Sequence, residues 1–515
     1  MLKSLHCIML ITSILSVSLF GNENIGLTKE IENRRESIVC AVETGNMSAE
    51  NESEEGFFLG YTDGFWVEED ETVYLLKSYG NGVLELKRNS AREIALAESV
   101  LPADVISYMD KLYVFDDILS ELQIYTKQGE LLVRSKIELK KDYVKGLAVA
   151  EEGVVVLTYD GQRIYVNPET GKQKKLKKQE LPLVDVADYD YAEYVGTDEE
   201  GTVYSVHTTL VQDCSVISGE LTLRAVSAEG ELLGCYVLPV EEYKYLPGQY
   251  VQIMDNGNIY LLVPGENSVE VRKVALKESM VSRIDSISEA AEEKESVYAA
   301  EARYRKRIGT ACTEKIKISR DEVKERSKDM AEYRWTLTKT NTQTAKSEKG
   351  VVLPREIAAV KKAHAGEADW SEKLTGIPYC WGGFHALDVG TKNQTFKKAI
   401  DKKFVVGNIN PEGYYKYMTA GLDCSGFVSA AFGFKTKQST KGLSDLGSKV
   451  SDVRKMEQMD ILVYPGEHVI FFCEWINETT MLVSESAARE GKVVIHPKSL
   501  NELVVGGTYQ MRSPW

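Results

Sequence analysis

The chain has 515 residues, with 62 Lys and Arg against 78 Asp and Glu, and a formal net charge of -16 at pH 7. This length exceeds what one hydrophobic core organises, so the sequence predicts two or three domains. The negative charge argues against nucleic acid as a partner, because neutralising phosphates requires clustered Lys and Arg.

The first 21 residues carry a targeting pattern. Lys3 precedes an apolar run from Ile8 to Phe20, which is short for a membrane span and ends in polar residues. This pattern predicts a signal peptide over 1–21 and an exported protein, secreted or associated with the cell envelope. An N-terminal membrane anchor is the alternative. Residues 22–55 are polar and acidic, which predicts a flexible leader.

Residues 56–276 contain short apolar strands separated by turn residues. A β-branched or aliphatic motif recurs five times, at Val73–Leu76, Leu112–Phe115, Val154–Leu157, Val203–Val206 and Ile259–Leu262. Strands of this length at these intervals predict an all-β, propeller-like repeat domain with five countable units. The longest gap leaves room for a sixth unit, and an irregular β-sandwich is the alternative fold.

The remaining chain changes character at about residue 277. Residues 277–315 are charged and helix-prone, and we interpret them as a linker. Ser319 and Glu322 have the spacing of a capping box, which predicts a helix running towards Trp335. The last domain is therefore expected to span 316–515.

Seven cysteines follow the predicted signal peptide, an odd number that fits one reactive thiol together with some disulfides. Cys214 and Cys235 could bridge neighbouring strands. The sequence contains neither a Cys-x-x-Cys pair nor a His-Glu-x-x-His motif. No metal site and no cofactor are therefore expected.

Cys424 is the candidate nucleophile. The small and apolar residues after it predict a buried helix with Cys424 at its N-terminus. A helix N-terminus favours the thiolate, and its free N–H groups could stabilise the oxyanion of a tetrahedral intermediate.

His468 is the candidate base, at the start of a predicted buried strand from Val469 to Phe472. A turn at Asn477-Glu478 leads to a second strand that carries Glu485, the candidate residue for orienting the imidazole. His496 is the alternative third residue, although a surface position is expected for it.

The three segments Pro378-Tyr-Cys-Trp-Gly-Gly383, Leu422-Asp-Cys-Ser-Gly-Phe427 and Gly466-Glu-His468 together resemble the NlpC-type family of bacterial cell-wall cysteine peptidases. The resemblance covers 316–515 and implies an α+β papain-like domain with Cys424 as nucleophile and His468 as general base. It also implies Tyr379 near the oxyanion, with Asp423 and Ser425 contacting the bound peptide. The implied partners are peptidoglycan stem peptides.

Three features depart from the family pattern. The usual Pro-Gly-Asp turn before the histidine strand appears here as Gln458-Met459-Asp460. Glu485 stands where the family commonly has His, Asn or Gln. A long insertion, His385 to Ala420, precedes the cysteine and carries a tyrosine cluster at Tyr414, Tyr415 and Tyr417. Loops of this length near a site often shape substrate access.

The leading hypothesis is an exported peptidoglycan endopeptidase that forms an acyl-enzyme on Cys424, while the propeller-like region binds a wall component or a partner protein. A surface binding protein with an inactive peptidase-like domain is the first alternative. The second is a thiol acyltransferase or amidase that acts on another substrate.

Overall fold

The computed structural model describes residues 38–43, 62–77, 82–87, 90–96, 102–117, 119–138, 143–159, 161–177, 190–211, 215–265, 268–277, 312, 314–344, 347, 349–411 and 415–515. The chain clusters into two compact units. The first comprises most of the chain up to residue 281, and the second comprises 282–515 together with 188–191 and 208–220. The predicted signal peptide at 1–21 lies outside the described residues.

The first unit is built from antiparallel strands. In chain order they are β1 (Ile38–Glu43), β2 (Phe65–Val67), β3 (Val73–Lys77), β4 (Gly82–Lys87), β5 (Ser90–Ala95), β6 (Pro102–Tyr108), β7 (Lys111–Asp116), β8 (Glu121–Thr126), β9 (Leu131–Lys136), β10 (Val144–Ala150), β11 (Gly153–Thr158), β12 (Arg163–Val166), β13 (Gln173–Leu176), β14 (Asp190–Thr197), β15 (Val203–Leu210), β16 (Gly219–Val226), β17 (Leu232–Val237), β18 (Val251–Ile253), β19 (Ile259–Pro264) and β20 (Ser268–Val274). A short 3-10 helix, Val240–Glu242, precedes β18.

These strands form five four-stranded sheets. Four of them take consecutive strands, β2–β5, β6–β9, β10–β13 and β14–β17, and the fifth has the order β1-β20-β19-β18. The five sequence motifs fall on β3, β7, β11, β15 and β19. Each motif is an inner strand of its sheet, so the predicted repeat is confirmed as a β-propeller-like series of sheets. No sixth sheet lies in the described residues 215–265.

Apolar side chains pack consecutive sheets against each other. Leu76 and Val114 lie in a cluster shared by the first two sheets, and Ile106 and Val156 lie in one shared by the second and third. Strands buried on both faces explain why the motifs are continuous apolar runs instead of alternating ones.

The fifth sheet is completed by the N-terminal strand. Val42 of β1 pairs with Val269 of β20, and Tyr260 of the same sheet packs in a cluster with Phe65 of the first sheet. The assignment of 22–55 to a flexible leader is therefore wrong for 38–43. Ile38–Glu43 is an apolar run inside a polar segment, and pairing with β20 buries part of it.

The second unit combines helices with a large sheet. Its helices are α1 (Arg320–Ala331), α2 (Arg355–Ala363), α3 (Phe396–Asp401), α4 (Cys424–Ala431), α5 (Thr440–Leu443) and α6 (Leu500–Val505), with 3-10 turns at Lys339–Thr342, Thr391–Asn393 and Val453–Lys455. Its strands are β21 (Arg334–Thr338), β22 (Ser371–Thr375), β23 (Val405–Val406), β24 (Thr419–Ala420), β25 (Ser448–Lys449), β26 (Ile461–Tyr464), β27 (His468–Trp475), β28 (Thr480–Ala487), β29 (Lys492–Ser499) and β30 (Gln510–Ser513).

The predicted capping box is confirmed at the start of α1. Ser319 accepts the Glu322 N–H, and the Glu322 carboxylate accepts the Ser319 N–H. The helix ends at Ala331, before Trp335. The predicted boundary at 316 is slightly late, because Cys312 packs against the core of this unit and Glu314 accepts the Lys435 N–H.

The main sheet of the second unit has the antiparallel order β25-β30-β26-β27-β28-β29. Helix α4 packs against β27 and β28, and α1 packs against α4 and β29. The Phe427 and Phe471 rings meet edge to face, with centroids 5.8 Å apart. The result is an α+β unit in which one buried helix lies on the sheet. In the described part of the chain, no helix is long and apolar enough to cross a membrane.

Candidate active site

Cys424 is the first residue of α4, where the sequence predicts it. The preceding Asp423 caps this helix, because its Oδ1 accepts the Gly426 N–H at 2.6 Å. Ser425 Oγ donates to the same oxygen at 3.1 Å. The capped terminus directs positive dipole density towards the thiol, which is only 6% exposed.

The second carboxylate oxygen of Asp423 is also occupied. Its Oδ2 accepts the Gly382 N–H at 3.0 Å and an ion pair from Lys437. Both residues that the resemblance assigns to peptide contact, Asp423 and Ser425, therefore hydrogen bond within the protein. Their contacts hold the start of the helix that carries Cys424, and Lys437 is a partner that the sequence analysis missed.

The aromatic motif pairs with the segment before the nucleophile. Tyr379 forms a parallel bridge with Leu422, and the Cys380 N–H donates to Leu422 O at 3.0 Å. Tyr379 is buried, and its backbone lies beside Leu422, which precedes Cys424 by two residues in the sequence.

Two glycines permit this close approach. A Cβ added at Gly426 would lie 2.3 Å from the Gly383 carbonyl oxygen, and one at Gly383 would lie 2.7 Å from Gly421 O. Backbone occupies both spaces, so any side chain would push the two motifs apart. This contact explains why both motifs carry glycine at these positions.

His468 and Glu485 lie on adjacent antiparallel strands. Phe471 pairs with Ser484 across β27 and β28, so His468 and Glu485 are diagonal neighbours on one face. The His468 Nε2 hydrogen bonds Glu485 Oε2. Glu485 thus makes the direct contact with the imidazole that its predicted orienting role requires, and its side chain is 1% exposed.

The Cys424 thiol lies close to His468. Cys424 Sγ is 3.8 Å from the Glu467 carbonyl oxygen, next to His468 in the chain, and a Cys424–His468 hydrogen bond is among the causes that raise the His468 pKa. The Glu485 contact occupies Nε2, which leaves Nδ1 as the ring nitrogen for an interaction with the thiol. The structure thus brings Cys424, His468 and Glu485 into one line.

The electrostatics favour a charged imidazole and a charged carboxylate. Burial opposes protonation of His468, but Tyr509, the Cys424 thiol and Glu485 outweigh it and hold the His468 pKa well above its usual value. Burial likewise opposes ionisation of Glu485. Lys498 and His468 outweigh that effect and hold the Glu485 pKa well below its usual value.

Three residues beside the line were missed or misjudged from the sequence. His496 Nε2 hydrogen bonds Glu485 Oε1 at 2.6 Å, so this half-buried side chain takes part in the network. Lys498 Nζ lies 3.0 Å from the same oxygen. The phenol of Tyr509 is buried near His468, and burial raises the Tyr509 pKa. Alternation along β29 places 496 and 498 on one face, a signal available only once the register is known.

The insertion at 385–420 contacts the aromatic motif. Tyr415 packs so closely on Gly382 that an added Cβ would meet its backbone nitrogen at 2.9 Å. Its hydroxyl hydrogen bonds Thr419 O at a short distance. Tyr417 is 57% exposed, and Tyr414 lies outside the described residues. The tyrosine cluster thus contributes one packing residue and one exposed ring.

Other cysteines differ from Cys424. Cys312, Cys380 and Cys473 are free thiols, and burial raises the pKa of both Cys380 and Cys473 to about 12. Cys214 lies outside the described residues, so its pairing with Cys235 stays a prediction. Among the residues that the structure describes, no group of three or more His, Cys, Asp or Glu side chains could hold a metal ion.

Comparison with known proteins gives structural likenesses only. No family model matches the chain, and no curated protein matches it. Virginiamycin B lyase from Staphylococcus aureus is 11% identical over 39% of this chain, with a TM-score of 0.23. The match spans 62% of that lyase, less than two thirds of its length.

Two further solved structures are similar to the chain at comparable levels. A member of the duf4221 family from Bacteroides vulgatus is 10% identical over 46% of this chain and 96% of its own, with a TM-score of 0.31. A putative gluconolactonase is 12% identical over 44% of this chain and 79% of its own, with a TM-score of 0.27. Likenesses at these TM-scores carry no inference about function.

Proposed function

We propose that the second unit is a papain-like cysteine peptidase of the NlpC type, which cleaves peptidoglycan stem peptides through an acyl-enzyme on Cys424. The observation that carries the proposal is the buried line of thiol, imidazole and carboxylate formed by Cys424, His468 and Glu485. The resemblance of the motifs around Cys424 and His468 supplies the substrate class.

The chemistry starts with proton transfer from the Cys424 thiol to His468 Nδ1, which leaves a thiolate–imidazolium pair. Glu485 stabilises this pair because its carboxylate accepts the Nε2 proton of the imidazolium. The thiolate then attacks the substrate carbonyl carbon, and the carbonyl electrons move to oxygen. Backbone N–H groups at the start of α4 are placed to stabilise that oxyanion.

Collapse of the tetrahedral species breaks the C–N bond. His468 gives its proton to the departing amine, and the acyl group remains on the Cys424 sulfur. Water then attacks the thioester while His468 accepts a proton from it. Collapse of this second tetrahedral species breaks the C–S bond and releases the acid product, which leaves the Cys424 thiolate beside the His468 imidazolium.

We further propose that the first unit binds a wall component or a partner protein, and that the chain acts outside the cytoplasm. A β-propeller-like series of sheets is a common binding platform, which supports the first point. The predicted signal peptide at 1–21 supports the second.

The test is digestion of purified peptidoglycan by the full-length protein, with mass spectrometry of the released fragments. We expect muropeptides from the wild type and none from Cys424→Ala. Cys473→Ala is the matched control, because Cys473 is a buried free thiol on β27, the same strand as His468. This variant should release the same fragments as the wild type.

Alkylation by iodoacetamide separates the alternatives. At pH 6 we expect modification of Cys424 and protection of Cys380 and Cys473, whose pKa values are about 12. A reactive Cys424 without muropeptide release favours an acyltransferase or amidase on another substrate. An unreactive Cys424 together with no release favours a binding protein with an inactive peptidase-like domain.

A further inference from the structure

Glu485 receives two donors from strand β29 in addition to His468 from β27. His496 Nε2 lies 2.6 Å from Glu485 Oε1, and Lys498 Nζ lies 3.0 Å from the same oxygen. Glu485 pairs with Val494 in the sheet, so 494, 496 and 498 share its face. The carboxylate is therefore held between a neighbouring strand on each side, with Oε2 directed at His468.

A buried carboxylate requires compensation of its charge. Glu485 is 1% exposed, and removing a charge from water costs several kcal/mol unless a partner replaces the solvent. His468 does not provide a constant countercharge, because it must lose and regain a proton in every catalytic cycle. Lys498 does so, since Glu485, Glu502 and Tyr509 together outweigh its burial and raise its pKa.

His496 contributes a hydrogen bond at the same oxygen. Burial lowers its pKa, but the Glu485 carboxylate outweighs burial and raises it. A neutral imidazole donating from Nε2 and an imidazolium would both satisfy Oε1. The donor is therefore present at every pH near neutrality, independent of the charge that His496 carries.

We infer that His496 and Lys498 are positioning residues that keep the Glu485 carboxylate ionised and directed at His468, and that they thereby set the lowest pH at which Cys424 is reactive. This inference rests on the proposed roles of Cys424 and His468 as nucleophile and base. It extends the site from three residues to five, and it explains how a carboxylate functions where the resembling family commonly has a neutral or basic side chain.

Several titratable groups around this network shift the pKa values of its members. Lys498 is the largest cause that lowers the Glu485 pKa, followed by His468 and His496. Tyr509 and Cys424 act on His468 from the two other elements that pack here, while Glu490 acts on His496 and Glu502 on Lys498. Removing either donor from β29 must therefore let Glu485 take up a proton at a higher pH. A protonated Glu485 no longer stabilises the imidazolium, so the thiolate is lost.

The experiment measures the rate at which iodoacetamide alkylates Cys424 in the full-length protein between pH 4 and pH 9, with site assignment by mass spectrometry. For Lys498→Met we expect the acid limb of the profile to move up by about one pH unit, a roughly tenfold slower reaction at pH 5. The rate at pH 8 should stay close to wild type. His496→Ala should move the limb in the same direction by a smaller amount.

Conservative variants and a matched control identify the cause. Lys498→Arg and His496→Gln each retain a donor, so we expect both to restore most of the wild-type profile. Lys492→Met removes a different ion pair on the same strand, the one with Glu356 at 2.8 Å, and should leave the profile unchanged. A merely structural role of Lys498 would lower the rate equally at all pH values and lower the unfolding temperature.

Wild-type profiles in both Lys498→Met and His496→Ala would overturn the inference, as would an equal loss at every pH. A wild-type thiol that is unreactive below pH 7 would overturn it together with the proposed function. A shifted acid limb without digestion of peptidoglycan would support the inference and contradict only the proposed substrate. Alkylation needs no substrate, so the two failures are distinguishable.

Discussion

Each unit of the molecule contains a buried carboxylate with a shifted pKa, and the two pKa values are shifted in opposite directions. Asp104 of the first unit is 5% exposed and accepts the N–H groups of Val105 at 2.7 Å and Leu147 at 2.6 Å. Burial raises its pKa to about 7, because the two amide hydrogen bonds offset only part of the burial effect and Asp63 adds a small contribution in the same direction as burial. Glu485 of the second unit is buried to the same degree, yet its pKa is lowered.

The difference lies in the partners. Amide groups are dipoles without net charge, so they satisfy the oxygens of Asp104 but do not compensate its charge. Glu485 has Lys498 and two histidines, which do. The carboxylate of Asp104 joins β6 to β10 and needs only hydrogen bonds. In the proposed mechanism the carboxylate of Glu485 must remain ionised to act on His468, and the surrounding cations make that the favoured state.

The largest expected effect is on the rate of muropeptide release, when each of the two carboxylates is replaced by its isosteric amide. In Glu485→Gln the imidazolium loses its charged partner, and we expect the rate of muropeptide release to fall at least about 1,000-fold. Asp104→Asn should leave this rate within about twofold of wild type, because the amide groups that donate to Asp104 belong to Val105 and Leu147 of the first unit. Release rates at saturating peptidoglycan provide the measurement.

Alkylation at pH 6 is the control for this pair. The Cys424 thiol of Glu485→Gln should react more slowly, while that of Asp104→Asn should match wild type. Equal losses in both variants would contradict the assignment of a site role to one carboxylate and a structural role to the other.

The second prediction concerns the pH dependence of stability in the first unit. Asp104 has a pKa of about 7 in the folded chain, against about 3.9 for an aspartate in an unfolded chain. The folded state therefore binds the extra proton between these values, and the free energy of unfolding falls as the pH rises from about 4 to about 7. The loss is at most roughly 4 kcal/mol, and it is complete above pH 7.

Hydrogen exchange of the full-length protein can measure this effect strand by strand. Protection factors of peptides from β6 and β10 should fall between pH 5 and pH 7 in the wild type, while those from β27 should not follow the same curve. Asp104→Asn should remove the slope in β6 and β10. A slope that persists in this variant would assign the pH dependence to another group.

The repeat of the first unit was predictable because its signal is local. Each motif is an inner strand buried on both faces, so apolar runs that recur at intervals of 39 to 56 residues identify the sheets. The start of α4 was predictable for the same reason, because Asp423 is a capping residue and small apolar residues follow Cys424. The strand Ile38–Glu43 escaped prediction because its partner, β20, lies more than 200 residues away in the sequence.

The candidate site was predictable only in part. His468 and Glu485 follow from two consecutive strands joined by a short turn, and the hairpin fixes their relation. His496 and Lys498 depend on the register between β28 and β29, which the sequence does not specify. Lys437 reaches Asp423 from a loop, so no periodic pattern marks it.

The smallest of the expected effects is a loss of stability at a third buried carboxylate, which extends the comparison. Asp460 is 1% exposed and pairs with Arg320, whose guanidinium lies 2.7 Å from Oδ1. The same guanidinium donates to Gln458 O and lies over the Trp515 ring, 4.3 Å from its centroid. Here a cation compensates a buried carboxylate, and the described side-chain partners of Asp460 are Arg320 and the Glu457 N–H, so charge pairing is present without the proposed chemistry.

We expect Arg320→Ala to destabilise the second unit by about 3 kcal/mol, because it leaves the Asp460 charge buried without its partner. Lys328→Ala on the same helix removes an exposed charge and should cost less than about 0.5 kcal/mol. Urea unfolding of both variants gives the difference, and Cys424 alkylation at 25 °C should follow the wild-type pH profile in each. A shifted profile in Arg320→Ala would mean that any buried ion pair of this unit influences the thiol. The specific role of Glu485 and its β29 partners would then be lost. An unchanged profile with reduced stability would separate two roles of a charge-compensated carboxylate. The ion pair of Asp460 would stabilise the fold, whereas Glu485 would act on His468.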